Sequence, residues 1–144
     1  MSLKGSKFAG LGGTVAVLTA MLTIFLASVP VVQAQDGQDP VTRGCNQDSE
    51  TLTRTSGGNY TTRRQERREI IVELRKSENC KANWVKADVP VNTVLYLKNE
   101  QGRTYNEYKT EIDGWSYGDM MNYRQKFRAC ARFSDGKEVC TSLV

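Results

Sequence analysis

A serine between two glycines is the first group in this chain whose type and spacing suggest chemistry. Residues 114–118 read Gly-Trp-Ser-Tyr-Gly, which matches the Gly-x-Ser-x-Gly pattern of a nucleophile elbow. In an elbow a histidine accepts the serine proton, and this chain contains no histidine. The elbow also requires a large α/β sheet, which a chain of this length does not build. We therefore interpret the match as chance and predict no catalytic residue.

Carboxylates are the remaining groups that could perform acid–base chemistry. Two of them, about 5–9.5 Å apart, cleave glycosidic bonds in glycosidases. The candidates lie in no recognisable motif: Asp48, Glu50, Glu73, Glu111, Asp113 and Asp119. Scattered acidic residues are mostly solvated surface. The sequence predicts a protein that is not an enzyme, with a small carboxylate-dependent hydrolase as the alternative.

The N-terminus predicts export. Lys4 and Lys7 precede a long apolar run, residues 8–31, and Val32 and Ala34 occupy the −3 and −1 positions of a cleavage site. These are the three parts of a secretory signal peptide, residues 1–34. The apolar run is also long enough for an uncleaved membrane anchor that leaves the domain outside. In both cases the remainder of the chain crosses the membrane.

The exported part is one small domain. Removal of the signal leaves 110 residues, which fits a single domain with a modest core. We predict a loose polar start at residues 35–44 and a single β domain at residues 45–144. Two of the 20 basic residues lie in the signal, so 18 basic residues face 16 acidic ones, a net charge of +2. That balance does not favour a nucleic-acid partner.

Four cysteines predict a disulfide framework. An even number in a small exported domain is typical of disulfides, and four cysteines allow three connectivities. Their positions are Cys45, Cys80, Cys130 and Cys140. A four-thiolate metal site would show Cys-x-x-Cys spacing, which is absent. We expect two disulfides, no bound metal and no cofactor.

The register of a predicted hairpin favours one connectivity. Residues 127–133 and 137–142 have strand patterning, and the Ser-Asp-Gly between them suits a three-residue loop whose last residue is left-handed. Three pairs of residues then lie opposite each other: Cys130 and Cys140, Ala131 and Val139, and Arg132 and Glu138. By exclusion, Cys45 pairs with Cys80.

Two groups of side chains are candidate binding residues. The first is a dense basic run that is either a solvated loop or a contact for wall polymers or lipid head groups. Its arginines are Arg63, Arg64, Arg67 and Arg68. The second is a cluster of aromatic residues that serves either core packing or the stacking of sugar rings and protein partners. It contains Tyr105, Tyr108, Trp115, Tyr117 and Tyr123, of which Trp115 and Tyr117 are the binding candidates.

The elements that must position these groups read as short strands. The clearest is residues 70–75, in which Ile70, Val72 and Leu74 share one face. Further strands are predicted at residues 94–97, 103–112 and in the hairpin of residues 123–144. Turns, connectors or loops are predicted at residues 56–59, 79–88 and 114–122. About five or six short strands without a helical period predict an all-β fold, a small disulfide-stapled sandwich or barrel.

One segment resembles a known family. Residues 73–84 read Glu-Leu-Arg-Lys-Ser-Glu-Asn-Cys-Lys-Ala-Asn-Trp, with Gly44-Cys45 before them and the late cysteine pair after them. This pattern is similar to the YjfA-like family of exported bacterial proteins over residues 36–144. The chain departs from it at residues 60–68, which read as an insertion. The family is of unknown function, so the resemblance implies export, disulfides and a compact domain but no reaction.

The sequence therefore predicts a secreted, disulfide-stabilised binding or structural module at the cell envelope. The expected partner is a cell-wall polymer or an extracellular protein, and a membrane only through an uncleaved leader. The alternative is a soluble secreted effector or inhibitor of another protein. We also expect Arg75 to pair with Glu73 or Glu78, and Trp84 to pack over the Cys45–Cys80 bridge.

Overall fold

The computed structural model describes residues 36–144, and the predicted signal peptide, residues 1–34, lies outside them. The described residues form nine strands and no helix. The first five strands are β1 (Glu50–Thr61), β2 (Arg67–Ser77), β3 (Ala82–Val89), β4 (Val94–Asn99) and β5 (Thr104–Lys109). The last four are β6 (Gly114–Tyr117), β7 (Met121–Asn122), β8 (Phe127–Arg132) and β9 (Glu138–Cys140). Within residues 36–144, no helix is long and apolar enough to cross a membrane.

The strands form two antiparallel sheets that pack as a sandwich. The first sheet has the order β1-β2-β3-β6, with β7 paired to β3, and the second has the order β5-β4-β8-β9. Both sheets keep open edges, so the fold is not a closed barrel. The all-β class and the two disulfides are confirmed, although nine strands replace the five or six expected.

An apolar core lies between the two sheets. Ile70, Val72 and Leu74 are all buried in it, on the β2 face that their alternation predicts. The other strands contribute Val85, Ala87, Val89, Leu95, Leu97, Phe127, Ala129 and Ala131. Full burial of an aliphatic or aromatic side chain contributes about 1.5–3 kcal/mol. Burial of this core therefore supplies a large share of the free energy that offsets the loss of chain entropy on folding.

The hairpin of β8 and β9 has the register predicted from its loop. All three predicted pairs lie opposite each other. Gly136 ends the loop with a φ of +85°, in the left-handed region that glycine enters without a steric cost. Disulfides join Cys130 to Cys140 and Cys45 to Cys80, which is the predicted connectivity.

The predicted connector at residues 79–88 is wrong, because this segment forms most of the central strand β3. Trp84 and Val85 are both buried although neighbouring side chains of a strand point to opposite faces. Strand β3 is thus covered on both faces. Such strands lack the apolar–polar alternation by which a half-buried strand is recognised.

Two predicted loops also contain strand. The Ser-Gly-Gly-Asn run lies inside β1, at a shift of register between Ser56 and Asn59. A bulge of this kind accommodates an extra residue within a paired strand. Residues 114–122 contain β6 and β7, and both pair with β3. Turn-forming residues do not distinguish a loop from a strand here, because bulges and strand ends contain the same residue types as turns.

The segment before β1 covers the outer face of the first sheet. Trp84, Cys45 and Met120 form a buried cluster there, with Cys80 packed against it, so the expected packing of Trp84 beside the bridge is confirmed. Two backbone hydrogen bonds of 2.8 and 2.9 Å join residues 37 and 38 to Met120. The Cys45–Cys80 bridge and these bonds hold residues 36–49 against the sheet.

Candidate binding surface

The β1–β2 hairpin ends in a loop of residues 62–66 that carries the first two arginines of the basic run. Thr62 N donates to Glu66 O at 2.9 Å, and Glu66 N donates to Thr62 Oγ1 at 3.1 Å. Gln65 has a left-handed φ of +66°, which reverses the chain. The closed loop places the exposed side chains of Arg63 and Arg64 at its tip.

Asp113 anchors this loop to the segment between β5 and β6. Its Oδ2 accepts a hydrogen bond from Arg63 N at 2.8 Å, and its Oδ1 accepts one from Val91 N at 2.9 Å. These two backbone hydrogen bonds hold the pKa of the Asp113 carboxyl below its usual value. One ionised carboxylate therefore ties together residues that lie 50 positions apart.

The four arginines of the predicted run have two different environments. Arg63, Arg64 and Arg67 are exposed, and none of them forms a salt bridge with another residue in the described range. Arg68 instead binds Asp88, with Nε 3.1 Å from Oδ1. Three of the four predicted residues are thus available to an anion, whereas Arg68 has a structural partner. We call Arg63, Arg64 and Arg67 the basic cluster.

The two predicted aromatic residues lie on β6, at the edge of the first sheet. In the register of β3 and β6, Trp115 pairs with Asp88 and Tyr117 pairs with Lys86. Alternate residues of a strand share a face, so both rings lie on the same side. Lys86 Nζ lies 4.5 Å from the centroid of the Trp115 ring and 5.9 Å from that of Tyr117. This cation–π contact orients the indole, and Trp115 as a whole is 37% exposed.

A groove of about 440 Å³ opens beside these rings. It has three aromatic side chains, two aliphatic ones, three carboxylates and one serine. The lining residues are Tyr108, Trp115, Tyr117, Val41, Ile112, Asp39, Glu111, Asp119 and Ser116. Ile112 and Val41 are 61% and 46% exposed, although large apolar side chains are normally covered. Apolar exposure of this kind, concentrated in one concave region, is typical of interaction sites. We call this region the aromatic groove.

The carboxylates of the aromatic groove lack basic partners. Asp39 accepts hydrogen bonds from Val41 N at 2.8 Å and from Thr42 Oγ1 at 3.1 Å. Glu111 and Asp119 have neither a hydrogen bond nor a salt bridge to any other residue between 36 and 144. Burial, and to a smaller extent the charge of Asp39, raises the pKa of Asp119. The groove therefore has three carboxylates, none of which forms a salt bridge with a residue between 36 and 144.

The basic cluster and the aromatic groove form one continuous surface. A recess of about 390 Å³ beside the cluster has three arginines and three carboxylates in its lining, and Arg67 does not line it. The lining residues are Thr62, Arg63, Arg64, Glu66, Arg68, Glu111, Ile112 and Asp113. Glu111 and Ile112 also line the aromatic groove, so the two recesses meet at the β5–β6 connection. The fold thus brings together two sets of candidate residues that the sequence presents as separate segments.

Sequence reasoning missed several residues of this surface. The sequence identifies Tyr108, Glu111 and Asp119 as aromatic or acidic candidates, but no sequence pattern assigns them to the same site. Asp39 carried no signal at all, because it reaches the groove only through the placement of residues 36–49 by the Cys45–Cys80 bridge. Of the predicted residues, Tyr105 and Tyr123 lie elsewhere: Tyr105 packs edge-on against Phe127 in the second sheet.

Ser116 lies inside a strand and not at the turn of a nucleophile elbow, although it lines the aromatic groove. It is buried in the four-residue strand β6, between Trp115 and Tyr117. A nucleophile elbow stands at a sharp turn from a strand into a helix, and no helix follows β6 in the described residues. The Gly-x-Ser-x-Gly match therefore lacks the structural context that gives the motif its meaning.

Comparison with known proteins identifies a family for this chain. No curated protein and no solved structure shows significant similarity to it. A family model described as "Protein of unknown function (DUF2690)" matches residues 33–132. The matched range contains the Cys45–Cys80 bridge, the basic cluster and the whole aromatic groove. With most of its length covered by this model, the chain belongs to the DUF2690 family of proteins of unknown function.

Proposed function

We propose that this protein is an exported binding module that holds a cell-envelope polymer through the basic cluster and the aromatic groove. One observation carries the proposal: a recess that contains arginines and a groove that contains aromatic rings meet at Glu111 and Ile112. A surface that joins exposed arginines to exposed aromatic rings suits a polymer with anionic groups and sugar rings. Arginine pairs with phosphate or carboxylate, and aromatic side chains offer faces for sugars.

The disulfides support a location outside the cytoplasm. Disulfides form and persist in oxidising compartments, and this domain contains two of them. The signal-peptide pattern of residues 1–34 and the similarity to the exported YjfA-like proteins support the same location. The proposal therefore places the domain at or near the cell wall, where an anionic polymer is accessible.

The proposed role is binding without catalysis. Ser116 is buried, and the chain has no histidine to act as a base. The aromatic groove does contain carboxylates, so hydrolysis of a wall glycan is the outcome that would change this assignment. Incubation of the protein with purified walls should release no soluble reducing ends above the background of a Glu111→Gln, Asp119→Asn double variant.

Co-sedimentation with purified cell walls tests the binding role. The oxidised protein, purified after export, should pellet with walls at low salt and partly dissociate at high salt because exposed charges are screened. The variant Arg63→Gln, Arg64→Gln, Arg67→Gln should weaken binding about tenfold. A matched control, Arg103→Gln, Arg124→Gln, Lys126→Gln, removes the same charge elsewhere and should change binding less than about threefold. Equal losses in both triple variants would show that only net charge matters.

Binding that survives high salt is assigned to the aromatic groove. Trp115→Ala should abolish that salt-resistant fraction, since the exposed indole provides the largest stacking surface there. Tyr123→Ala is the control, because Tyr123 lies outside the groove. No pelleting of the wild-type protein under any condition would refute the envelope role.

A second candidate function is the capture of another exported protein. The exposure of Val41, Ile112 and Trp115 on one groove favours it, since aromatic and large apolar side chains dominate protein interfaces. In that case Ile112→Ala should reduce complex formation as strongly as Trp115→Ala. A wall polymer bound through ring stacking would be insensitive to Ile112→Ala, so this variant separates the two functions.

A further inference from the structure

We propose that the aromatic groove binds an ammonium group, either a protonated amine or a quaternary ammonium, carried by the polymer whose anionic groups the basic cluster holds. This inference rests on the proposed function and deepens it, because it names the chemical group that the groove selects. The expected ligand is thus a polymer that displays both cationic and anionic groups.

Charge complementarity is the first argument. Three carboxylates line the groove, those of Asp39, Glu111 and Asp119, and no lysine or arginine among residues 36–144 lines it. This imbalance stands out because basic residues outnumber acidic ones in residues 36–144, 18 to 16. A neutral sugar would leave this concentrated negative charge unused, and an anionic group would be repelled by it.

The aromatic side chains supply the second argument. Tyr108, Trp115 and Tyr117 line the same groove as the carboxylates. The electron-rich faces of such rings attract cations, and several rings around one site form the cages that bind quaternary ammonium groups. Trp115 already accepts a cation in this way, because Lys86 Nζ lies 4.5 Å from its ring centroid. Lys86 itself is not among the residues that line the groove.

The third argument is the electrostatic state of the groove without a ligand. Asp119 is half-buried, lies near the charge of Asp39 and has no hydrogen-bond or salt-bridge partner among residues 36–144. Burial of a charged group without a partner is unfavourable. A bound ammonium would supply the missing counter-charge, whereas a neutral ligand would deepen the burial of Asp119 without compensating it.

A pair of ligands with one shape and different charge tests the inference. Choline carries a quaternary ammonium, and 3,3-dimethylbutan-1-ol replaces its nitrogen with carbon. Each is titrated into the oxidised protein at constant ionic strength, and the fluorescence of the exposed Trp115 is followed. Choline should give a saturable change, and the neutral alcohol should bind at least about tenfold more weakly. Equal binding of the two compounds, or no response to choline, would overturn the inference.

Isosteric variants locate the site. Glu111→Gln and Asp119→Asn should each weaken choline binding about threefold or more, because each removes one negative charge and keeps the shape of the side chain. Glu100→Gln, an exposed acid on the turn between β4 and β5, is the control and should leave the affinity unchanged. Unchanged affinity in the Glu111→Gln, Asp119→Asn double variant would also overturn the inference.

The wall and choline assays separate the two proposals. If the protein pellets with walls but shows no preference for choline over the neutral alcohol, the ammonium site is wrong and the envelope role stands. If choline binds as expected but walls are not bound, the envelope role is wrong and the ammonium site stands. If both are correct, choline should displace the protein from walls and the neutral alcohol should not.

Discussion

Arg68 and Asp88 lie on neighbouring strands and form a two-point contact in which the guanidinium donates to both carboxylate oxygens. The hydroxyl of Tyr60 donates to Oδ1 of the same carboxylate at 2.7 Å. Asp88 is buried, so these donors supply the hydrogen bonds that water would otherwise provide. This contact gives Arg68, alone among the four arginines of the run, a carboxylate partner, although its side chain still lines the recess beside the basic cluster.

Two tyrosines should make the domain sensitive to alkali. Burial, followed by a hydrogen bond to Asp88 for Tyr60 and to Glu138 for Tyr96, raises the pKa of both phenols well above the usual 10.0. A raised folded-state pKa contributes stability that is complete below the unfolded value and is lost as pH rises above it. We expect the free energy of unfolding, measured in urea, to decline from pH 10 upwards. The double variant Tyr60→Phe, Tyr96→Phe should lose most of that decline, and an unchanged decline would contradict the assignment.

The Asp113 anchor should control access to the basic cluster. Asp113→Asn loses one charge-assisted acceptor for Arg63 N or Val91 N, which costs about 1 kcal/mol and should raise trypsin cleavage after Arg63 and Arg64 about fivefold. Because the pKa of Asp113 is lowered in the fold, the anchor is intact above the unfolded pKa and is lost as pH falls through the folded value. Cleavage at the matched control, Asp135→Asn in the β8–β9 loop, should stay at the wild-type rate.

The two disulfides should differ in what their removal exposes. Chain-entropy arithmetic assigns about 4 kcal/mol to Cys45–Cys80 and about 3 kcal/mol to Cys130–Cys140, from sequence separations of 35 and 10. Loss of Cys45–Cys80 should also free the segment that covers Trp84 and shift tryptophan emission to longer wavelength. Double serine variants of each pair, compared by urea unfolding and fluorescence, test this. A red shift in both variants would indicate general loosening instead.

Gly57 should tolerate no side chain. A Cβ at this position would lie 2.7 Å from Ile70 Cγ2 and 2.9 Å from Val139 Cγ2, which belong to different sheets. Gly57→Ala should therefore destabilise the domain by about 1–3 kcal/mol, the usual cost of overpacking. Ser56→Ala, at the exposed neighbour, should change stability by less than about 0.5 kcal/mol. Equal stability of the two variants would show that the sheets separate easily at this edge.

Local features could be predicted from the sequence where one residue pattern has one structural solution. The alternation of Ile70, Val72 and Leu74 identified the core face of β2, and the Ser-Asp-Gly loop set the register that pairs Cys130 with Cys140. The expected pair of Arg75 and Glu73 is present at 3.6 Å, because residues two apart on a strand share a face.

Only the tertiary structure decided where the candidate binding surface lies. Because β3 is covered on both faces, its sequence lacks the apolar–polar alternation that would have identified it as a strand. The bulge in β1 has the residue types of a turn. The surface itself depends on contacts between distant segments: Asp113 anchors Arg63, and the Cys45–Cys80 bridge places Asp39 beside Trp115. The sequence by itself determined the all-β class, the hairpin register and the disulfide pairs, because these follow from short-range periodicity and loop geometry. The meeting of the basic cluster and the aromatic groove follows from how two sheets pack, and no local pattern encodes that.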